Sequence, residues 1–276
     1  MSHLAPTSRL AGGAEMPVLA LGTWPMDDAE TADAVESALA AGYRHIDTAE
    51  NYGNERGVGE GIRRSGLPRD EVFITTKFNR AHHSEAGVRA AWEASCARLG
   101  VDTIDLFLIH WPNPDQDRYL DALRGLVALR DEGRIRALGV SNFTAAHLER
   151  AAAAGLVPEV NQIQLDPEHS QPRVQAANRA HGIATVAYSP LGRGGSFLDH
   201  PAVGDAARAH GKTPAQVVLR WHVQHGNAAA PKSANPVRQR ENLALFDFAL
   251  SPEEMAAIDA LDVGAPLQHD ADTFGH

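Results

Sequence analysis

Four side chains in this sequence are of types that can together pass a proton to a carbonyl oxygen: Asp47, Tyr52, Lys77 and His110. Asp47 ends an apolar-alternating run that begins at Tyr43, and Tyr52 follows five residues later within the turn-forming stretch Asn51-Tyr52-Gly53-Asn54. Lys77 lies near the end of the run that starts at Phe73, and His110 directly follows IDLFLI. A phenol with a pKa of about 10 is a poor acid at neutral pH. A nearby ammonium favours the phenolate, and a carboxylate beside that ammonium keeps it charged and in place. Lys77, held by Asp47, is therefore expected to lower the pKa of Tyr52, while a neutral His110 imidazole fixes the carbonyl oxygen. The chemistry is proton donation to a carbonyl while a hydride arrives from elsewhere, and none of the four acts as a nucleophile. Singly, each has a plainer reading as an ion-pair partner, a packed ring or a satisfied buried histidine. What counts is that all four fall at or just beyond the ends of consecutive strands.

The elements that must position them are repetitive. Apolar, β-rich runs near Ala20, Ile46, Phe73, Phe107, Leu138, Val160, Val186 and Ala229 are each followed by a helix-like segment. Repeats of roughly thirty residues suit βαβ units, and eight in series predict an α/β fold of the (β/α)8-barrel type, with active-site residues at the carboxyl ends of its strands. Residues 8 to 19, with Gly12-Gly13 at their middle, predict an N-terminal β-hairpin that closes one end. Helix starts are expected at Glu55, with Val58 and Ile62 on one face, and at Ser84, where the helix runs on to a stop at Gly100. Two further starts, Thr213-Pro214-Ala215-Gln216 and Ser251-Pro252-Glu253-Glu254, combine an N-cap, a first-turn proline and a capping-box partner. The second of these adds an extra C-terminal helix. One domain over 1–276 is expected, with a tail over 263–276 and a long seventh connection around Gly192 to Pro201. A doubly wound sheet is the rival. Neither Gly57-Val58-Gly59-Glu60-Gly61 nor Gly192-Arg193-Gly194-Gly195 has its dinucleotide spacing. Gly211-Lys212-Thr213 resembles the tail of a phosphate loop, but Ala206 stands where the first glycine belongs.

Composition narrows the function classes. The net charge of -10 argues against nucleic acid or an anionic membrane as partner, since both call for a basic footprint. No run of about 18 apolar residues suggests a membrane span. The start MSHLAPTSRL lacks a secretory pattern and Cys96 is the single cysteine, so a reducing cytoplasm is expected. Only Lys77, Lys212 and Lys232 are lysines among 25 basic residues, which draws attention to each as a point charge that arginine cannot replace.

The segments GYRHIDTAENYGNE, ITTKF, DLFLIHWP, GVSNF, NQIQ, YSPLG and PKS followed by RQREN occur in order between about Leu10 and Asp262. With them the chain resembles the aldo-keto reductase family, of the prokaryotic type that reduces small dicarbonyls and sugar-like ketones. The resemblance implies a (β/α)8 barrel, NADPH extended across the catalytic face, and Asp47, Tyr52, Lys77 and His110 as the catalytic set. It implies cofactor contacts from Gly22 and Thr23, a nicotinamide clamp of Ser141, Asn142 and Gln162, and stacking by Tyr188. Ser189 and Leu191 belong to a stretch ending at Gly195 that lies over the pyrophosphate. Lys232, Ser233, Arg238 and Asn242 form the adenosine-end site, with Lys232 and Arg238 meeting the 2'-phosphate and Glu241 the adenine. Substrate walls are Trp24, Asn51, Phe78, Trp111 and part of the tail. Asp166 departs from the histidine of many relatives, and the tail is short. His82, His83, His222, His225 and the tail histidines are expected to be surface or packing residues. The partner is then a small-molecule carbonyl substrate of a monomer that binds no metal. Two other readings stay open: an NADPH-binding regulatory protein with negligible turnover, and a metallohydrolase using His45, Asp47 and His110.

Overall fold

The computed structural model describes residues 4–276. Short apolar runs bounded by glycine and proline form a two-stranded hairpin, β1 (Thr7–Arg9) and β2 (Glu15–Pro17), and eight further strands. These are β3 (Leu21–Gly22), β4 (His45–Asp47), β5 (Phe73–Phe78), β6 (Ile104–Ile109), β7 (Ile135–Ser141), β8 (Val160–Gln164), β9 (Ala184–Tyr188) and β10 (Ala228–Ala230). Strands β3 to β10 pair in chain order and all in parallel, as the eight repeats predict. Parallel bridges Leu19 to Ala229 and Gly22 to Lys232 join the first of these strands to the last and close the barrel. At that seam Ala20 N donates to Ala229 O at 2.9 Å and Gly22 N to Pro231 O at 3.0 Å. A Cβ on Gly22 would stand 2.9 Å from Ala230 O, so the seam closes only on glycine.

The helices among the described residues are α1 (Asp28–Ala41), α2 (Glu55–Ser65), α3 (Glu85–Leu99), α4 (Tyr119–Asp131), α5 (Ala145–Ala153), α6 (Pro172–Ala180), α7 (Pro201–His210), α8 (Pro214–Gln224), α9 (Pro236–Leu243) and α10 (Pro252–Asp259). Thr213 and Ser251 close capping boxes with Gln216 and Glu254, and Ser84 accepts from Gly87 N. The long seventh connection holds two helices, α7 and α8, and α10 is the extra C-terminal helix. The glycines of α2 serve packing. A Cβ on Gly57 would lie 2.2 Å from Asp28 O and one on Gly59 2.1 Å from Leu99 O, so this helix touches the backbones of both neighbours. No helix of the described residues is long and apolar enough to cross a membrane.

Strand alternation splits the apolar residues into two cores. Leu10, Ala14 and Met16 of the hairpin pack with Phe73, Leu106, Leu108, Ala137, Val160, Val186 and Ala228. Residues from six different strands can meet the hairpin at one place only inside the barrel, so the hairpin plugs its amino-terminal end. Gly12 N donates to the buried Glu159 Oε2 at 2.7 Å and ties the plug down. The intervening positions, Ile74, Phe78, Phe107 and Ile109, belong to the larger core that includes helix residues such as Val88, Leu126 and Leu148.

Candidate active site

With the strands parallel, their carboxyl ends share one face. Asp47 ends β4, Lys77 is the second-last residue of β5, His110 follows β6, Ser141 ends β7, Gln162 lies in β8 and Tyr188 ends β9. Tyr52 closes a single 3-10 turn, Glu50–Tyr52, which Gly53 terminates at φ 69°. The four residues predicted to act together are brought together. Lys77 Nζ donates to Asp47 Oδ1 at 2.7 Å and to Thr48 O at 2.8 Å, and Gln162 Nε2 donates to Asp47 Oδ2 at 2.6 Å. Both members of this ion pair are buried, at 1% and 6% side-chain exposure. The ammonium lies 5.1 Å from the centroid of the Tyr52 ring, which is 5.9 Å from that of His110.

The electrostatics agree with the sequence reading in part. For Lys77 burial pulls the pKa down, but Asp47 and Tyr52 outweigh it and the group is held above its ordinary value, charged. Burial, then Lys77 and His276, holds His110 well below the ordinary histidine range, so the ring is neutral at physiological pH. Its Nδ1 is buried without a hydrogen-bond partner, which leaves Nε2 as the nitrogen available to a substrate. Tyr52 differs from expectation. Burial raises its pKa, and the opposing pull of Lys77 reduces that rise without reversing it. The phenol is therefore protonated at neutral pH, as a proton donor must be.

A cleft of about 880 Å³ opens over these residues. Gly22, Thr23, Trp24, Asn51, Tyr52, His110, Trp111, Ser141, Asn142, Gln162, Tyr188, Ser189, Leu191, Lys232, Ser233, Arg238, Glu241 and Asn242 all line it, with Asp47. Lys77 stands behind this wall, fully buried. Phe78 is a correction: it does not reach the cleft. The pleat that turns Lys77 inward turns its neighbour outward, and the Phe78 ring packs in the outer core 4.9 Å from Phe107. Asp166 is buried away from the cleft, where it accepts from His169 Nδ1 at 2.8 Å. His45, weighed as a metal ligand, has both ring nitrogens engaged, Nδ1 donating to Pro17 O at 2.9 Å and Nε2 accepting from Thr75 Oγ1 at 2.8 Å.

The two ends of the cleft suit the two ends of NADPH. At one end Ser141 Oγ donates to Gln162 O at 2.9 Å, Asn142 Nδ2 to His110 O at 3.1 Å, and Tyr188 OH to Asn142 Oδ1 at 2.8 Å. Asn142, held by two of these bonds, and Ser189 both have left-handed backbone, φ 62° and 49°, a conformation that costs about 1–3 kcal/mol per residue and collects at functional sites. At the other end Lys232 is 37% exposed with its nearest carboxylate, Glu30, 3.7 Å away. Arg238 lies in the first turn of α9, where Asn235 caps the helix by accepting from Val237 N and Arg238 N. Both cations line this end of the cleft, and such charge suits an anionic group.

Sequence reasoning placed part of the tail at the cleft without naming its residues, and missed Arg193. Of the tail, Gln268, His269, Phe274 and His276 line the cleft, so the two tail histidines, expected as surface or packing residues, pack where they also face the cleft. The His276 ring lies 4.8 Å from that of His110, its Nε2 accepts from Asn51 Nδ2, and its carbonyl accepts from Arg80 N at 2.9 Å. Phe274 packs 4.7 Å from Trp111 and stacks on His269 at 3.9 Å. Arg193 lies over the Trp24 ring at 4.5 Å, bridging two loops at the mouth. Nothing periodic marks the tail, which is short and rich in His and Asp.

The profile of the Aldo/keto reductase family matches residues 18–263. An aldo-keto reductase of Mycobacterium sp. (strain KMS) is 46% identical over 271 residues, 98% of each chain. The methylglyoxal reductase DkgA of Yersinia pestis is 45% identical over 275 residues, 99% of this chain and 98% of that one. Among solved structures, an aldo/keto reductase from Brucella melitensis superposes with a TM-score of 0.91 at 42% identity, covering 95% of this chain and all of its own. The Bombyx mori aldo-keto reductase in complex with NADP gives 0.89 at 36% identity, over 95% and 94% of the two chains.

Proposed function

The chain belongs to the aldo/keto reductase family, and from that premise we propose that it reduces the carbonyl of small aldehydes, ketones or dicarbonyls to alcohols, with Tyr52 as the proton donor. NADPH, when bound, supplies the hydride to the carbonyl carbon. Ser141, Asn142 and Gln162 would hold its carboxamide, Tyr188 would stack on its nicotinamide, and Gly22, Thr23, Ser189 and Leu191 would lie along its middle. Lys232, Ser233, Arg238, Glu241 and Asn242 would take the adenosine end, the two cations favouring the 2'-phosphate of NADPH over NADH.

His110 Nε2 holds the substrate oxygen beside Tyr52. As charge develops on that oxygen the Tyr52 hydroxyl proton moves to it, and the phenolate left behind is stabilised by the Lys77 ammonium. Asp47 keeps Lys77 charged, and Gln162 fixes Asp47 by its second oxygen. Solvent then returns a proton to the phenolate. The observation that carries this reading is the buried 2.7 Å Lys77–Asp47 pair beside a protonated Tyr52. Trp24, Asn51 and Trp111 form the substrate walls. The protein acts as a cytoplasmic monomer.

The test is NADPH oxidation against a panel of small aldehydes, α-dicarbonyls and keto sugars, with NADH in parallel. The α-dicarbonyls come first because of the name carried by the Yersinia relative. Turnover with NADPH preferred is expected. Tight NADPH binding with no turnover on any carbonyl would move the assignment to a regulatory protein.

A further inference from the structure

The turn that carries Tyr52 runs directly into α2, and at the junction stands Asn54, which has no solvent exposure. It occupies the N-cap position of α2, where an asparagine side chain ordinarily accepts from an amide in the first turn of its own helix. Here it makes no such bond. The cap comes from a different helix: Asp28, the first residue of α1, accepts from Gly57 N at 2.7 Å. An N-cap asparagine whose helix is capped from outside has its own hydrogen bonds committed elsewhere.

Those bonds reach the loops behind the four reacting side chains. Asn54 Oδ1 accepts from Thr48 Oγ1 at 2.8 Å, and Nδ2 donates to Thr23 O at 3.2 Å and to Met26 O at 2.9 Å. Thr48 follows Asp47, and its carbonyl receives the Lys77 ammonium. Thr23 follows β3, and its backbone N–H and its hydroxyl both donate to Asp47 O, at 3.0 and 3.1 Å. Thr23 and Thr48 are as fully buried as Asn54. One side-chain amide therefore ties the Tyr52 turn to the residue that seats Lys77 and to the strand end beside Asp47. The other side-chain ties of the turn are longer: Glu50, its first residue, accepts from Asn79 N and from His82 Nε2, both at 3.3 Å.

A proton donor must be held accurately, since misplacement of a reacting group by about 1 Å can cost about a hundredfold in rate. Tyr52 sits on a single turn that ends at a glycine with φ 69°, and such a turn by itself fixes the ring weakly. We propose that Asn54 is a positioning residue for the proton donor, setting Tyr52 against Lys77 by joining the loops that carry them. The proposal rests on the reductase reading, in which Tyr52 gives up the proton. Asn54 does not line the cleft and acts only through its neighbours, the Thr48 segment on one side and the chain back to Tyr52 on the other.

The experiment measures kcat for methylglyoxal at saturating NADPH, NADPH affinity by fluorescence titration and the melting temperature, in the wild type and in point variants. Asn54→Ala removes all three bonds, whereas Thr48→Val removes only the hydroxyl and keeps the carbonyl that holds Lys77. Asp28→Ala is the control, because it uncaps the same helix and leaves the bonds of Asn54 in place. All three should melt lower than wild type, Asp28→Ala by about 2–4 °C. A fall in kcat of about a hundredfold is expected in Asn54→Ala and of about tenfold in Thr48→Val, with NADPH affinity within about threefold of wild type. Asp28→Ala should keep kcat within about twofold, and Thr48→Ser, which returns the hydroxyl, should recover most of what Thr48→Val loses. If Asn54→Ala does not fold, the Thr48 pair decides. An undiminished kcat in Thr48→Val, or an equal loss in Asp28→Ala, would overturn the positioning role and leave the reductase reading standing. No turnover of any carbonyl by the wild type would overturn that reading, and this assignment with it.

Discussion

Lys77 and Lys232 serve opposite ends of one cleft, and the protein treats their charges in opposite ways. Lys77 is buried, two of its protons are committed at 2.7 and 2.8 Å, and both oxygens of its partner Asp47 are occupied. Lys232 is 37% exposed and has only a loose carboxylate at 3.7 Å. A group that must stabilise charge at one atom gains from being fixed before the reaction. A group that must discriminate a ligand phosphate gains from being free until the ligand arrives, because a strong internal ion pair would have to be broken first. On the proposed reading, one end of the cleft is organised for chemistry and the other for choice of cofactor.

The sharpest way to break this contrast is Tyr52→Phe. It removes the proton and leaves both cation sites intact, so kcat should fall by about a thousandfold while NADPH affinity, followed by fluorescence titration, stays close to wild type. Retained turnover would sink the role of Tyr52.

Lys77→Met tests the buried end for stability. It strands the Asp47 carboxylate without its cation, and urea denaturation should report a loss of about 3–5 kcal/mol. Adding Asp47→Asn should restore much of the stability and none of the activity. A single variant as stable as wild type would contradict the strain expected of an unpaired buried charge.

At the exposed end, Arg238→Ala should raise the KM for NADPH by about ten- to a hundredfold, the worth of one charge-assisted hydrogen bond, and leave the KM for NADH unchanged. Stability should barely move. An equal effect on both cofactors would remove Arg238 from the 2'-phosphate.

Acid gives the most distributed effect, small for each ring at any one pH step. Burial lowers His83 and His222 to about 4, so between the ordinary histidine value and that pH the unfolded chain binds more protons than the folded one. Stability should therefore fall as pH drops from about 6.5 to about 4, by roughly 1 kcal/mol per pH unit for each ring. Melting curves across that range test the sign; a flat response would mean that the two histidines are not buried neutral.

Much of the barrel was legible because its signals are local. Each strand is a short apolar run, and the starts at Thr213 and Ser251 carry their caps within four residues. The strand-end residues could be placed too, since a parallel barrel sends all carboxyl ends to one face. Phe78 was misplaced although the information was present: once Lys77 points in, period two sends Phe78 out. The tail was expected at the substrate walls, but which of its residues dock there could not be read. Docking of His269, Phe274 and His276 against Trp111 and His110 joins residues more than 150 positions apart with no repeat to announce it. The net rise of the Tyr52 pKa was equally hidden, because burial depends on how loops pack above the ring and not on which residues flank it.

The hairpin plug at the amino-terminal end gives the barrel a single doorway. Everything that reacts must come and go through the carboxyl face, and a molecule bound deep in the cleft is covered by the next one to enter. Ser141, Asn142 and Gln162 sit toward the strand ends, on the one face that stays open. A knot of apolar side chains at the far end of the molecule, anchored by the hydrogen bond from Gly12 to Glu159, is in this sense what makes the barrel one-sided.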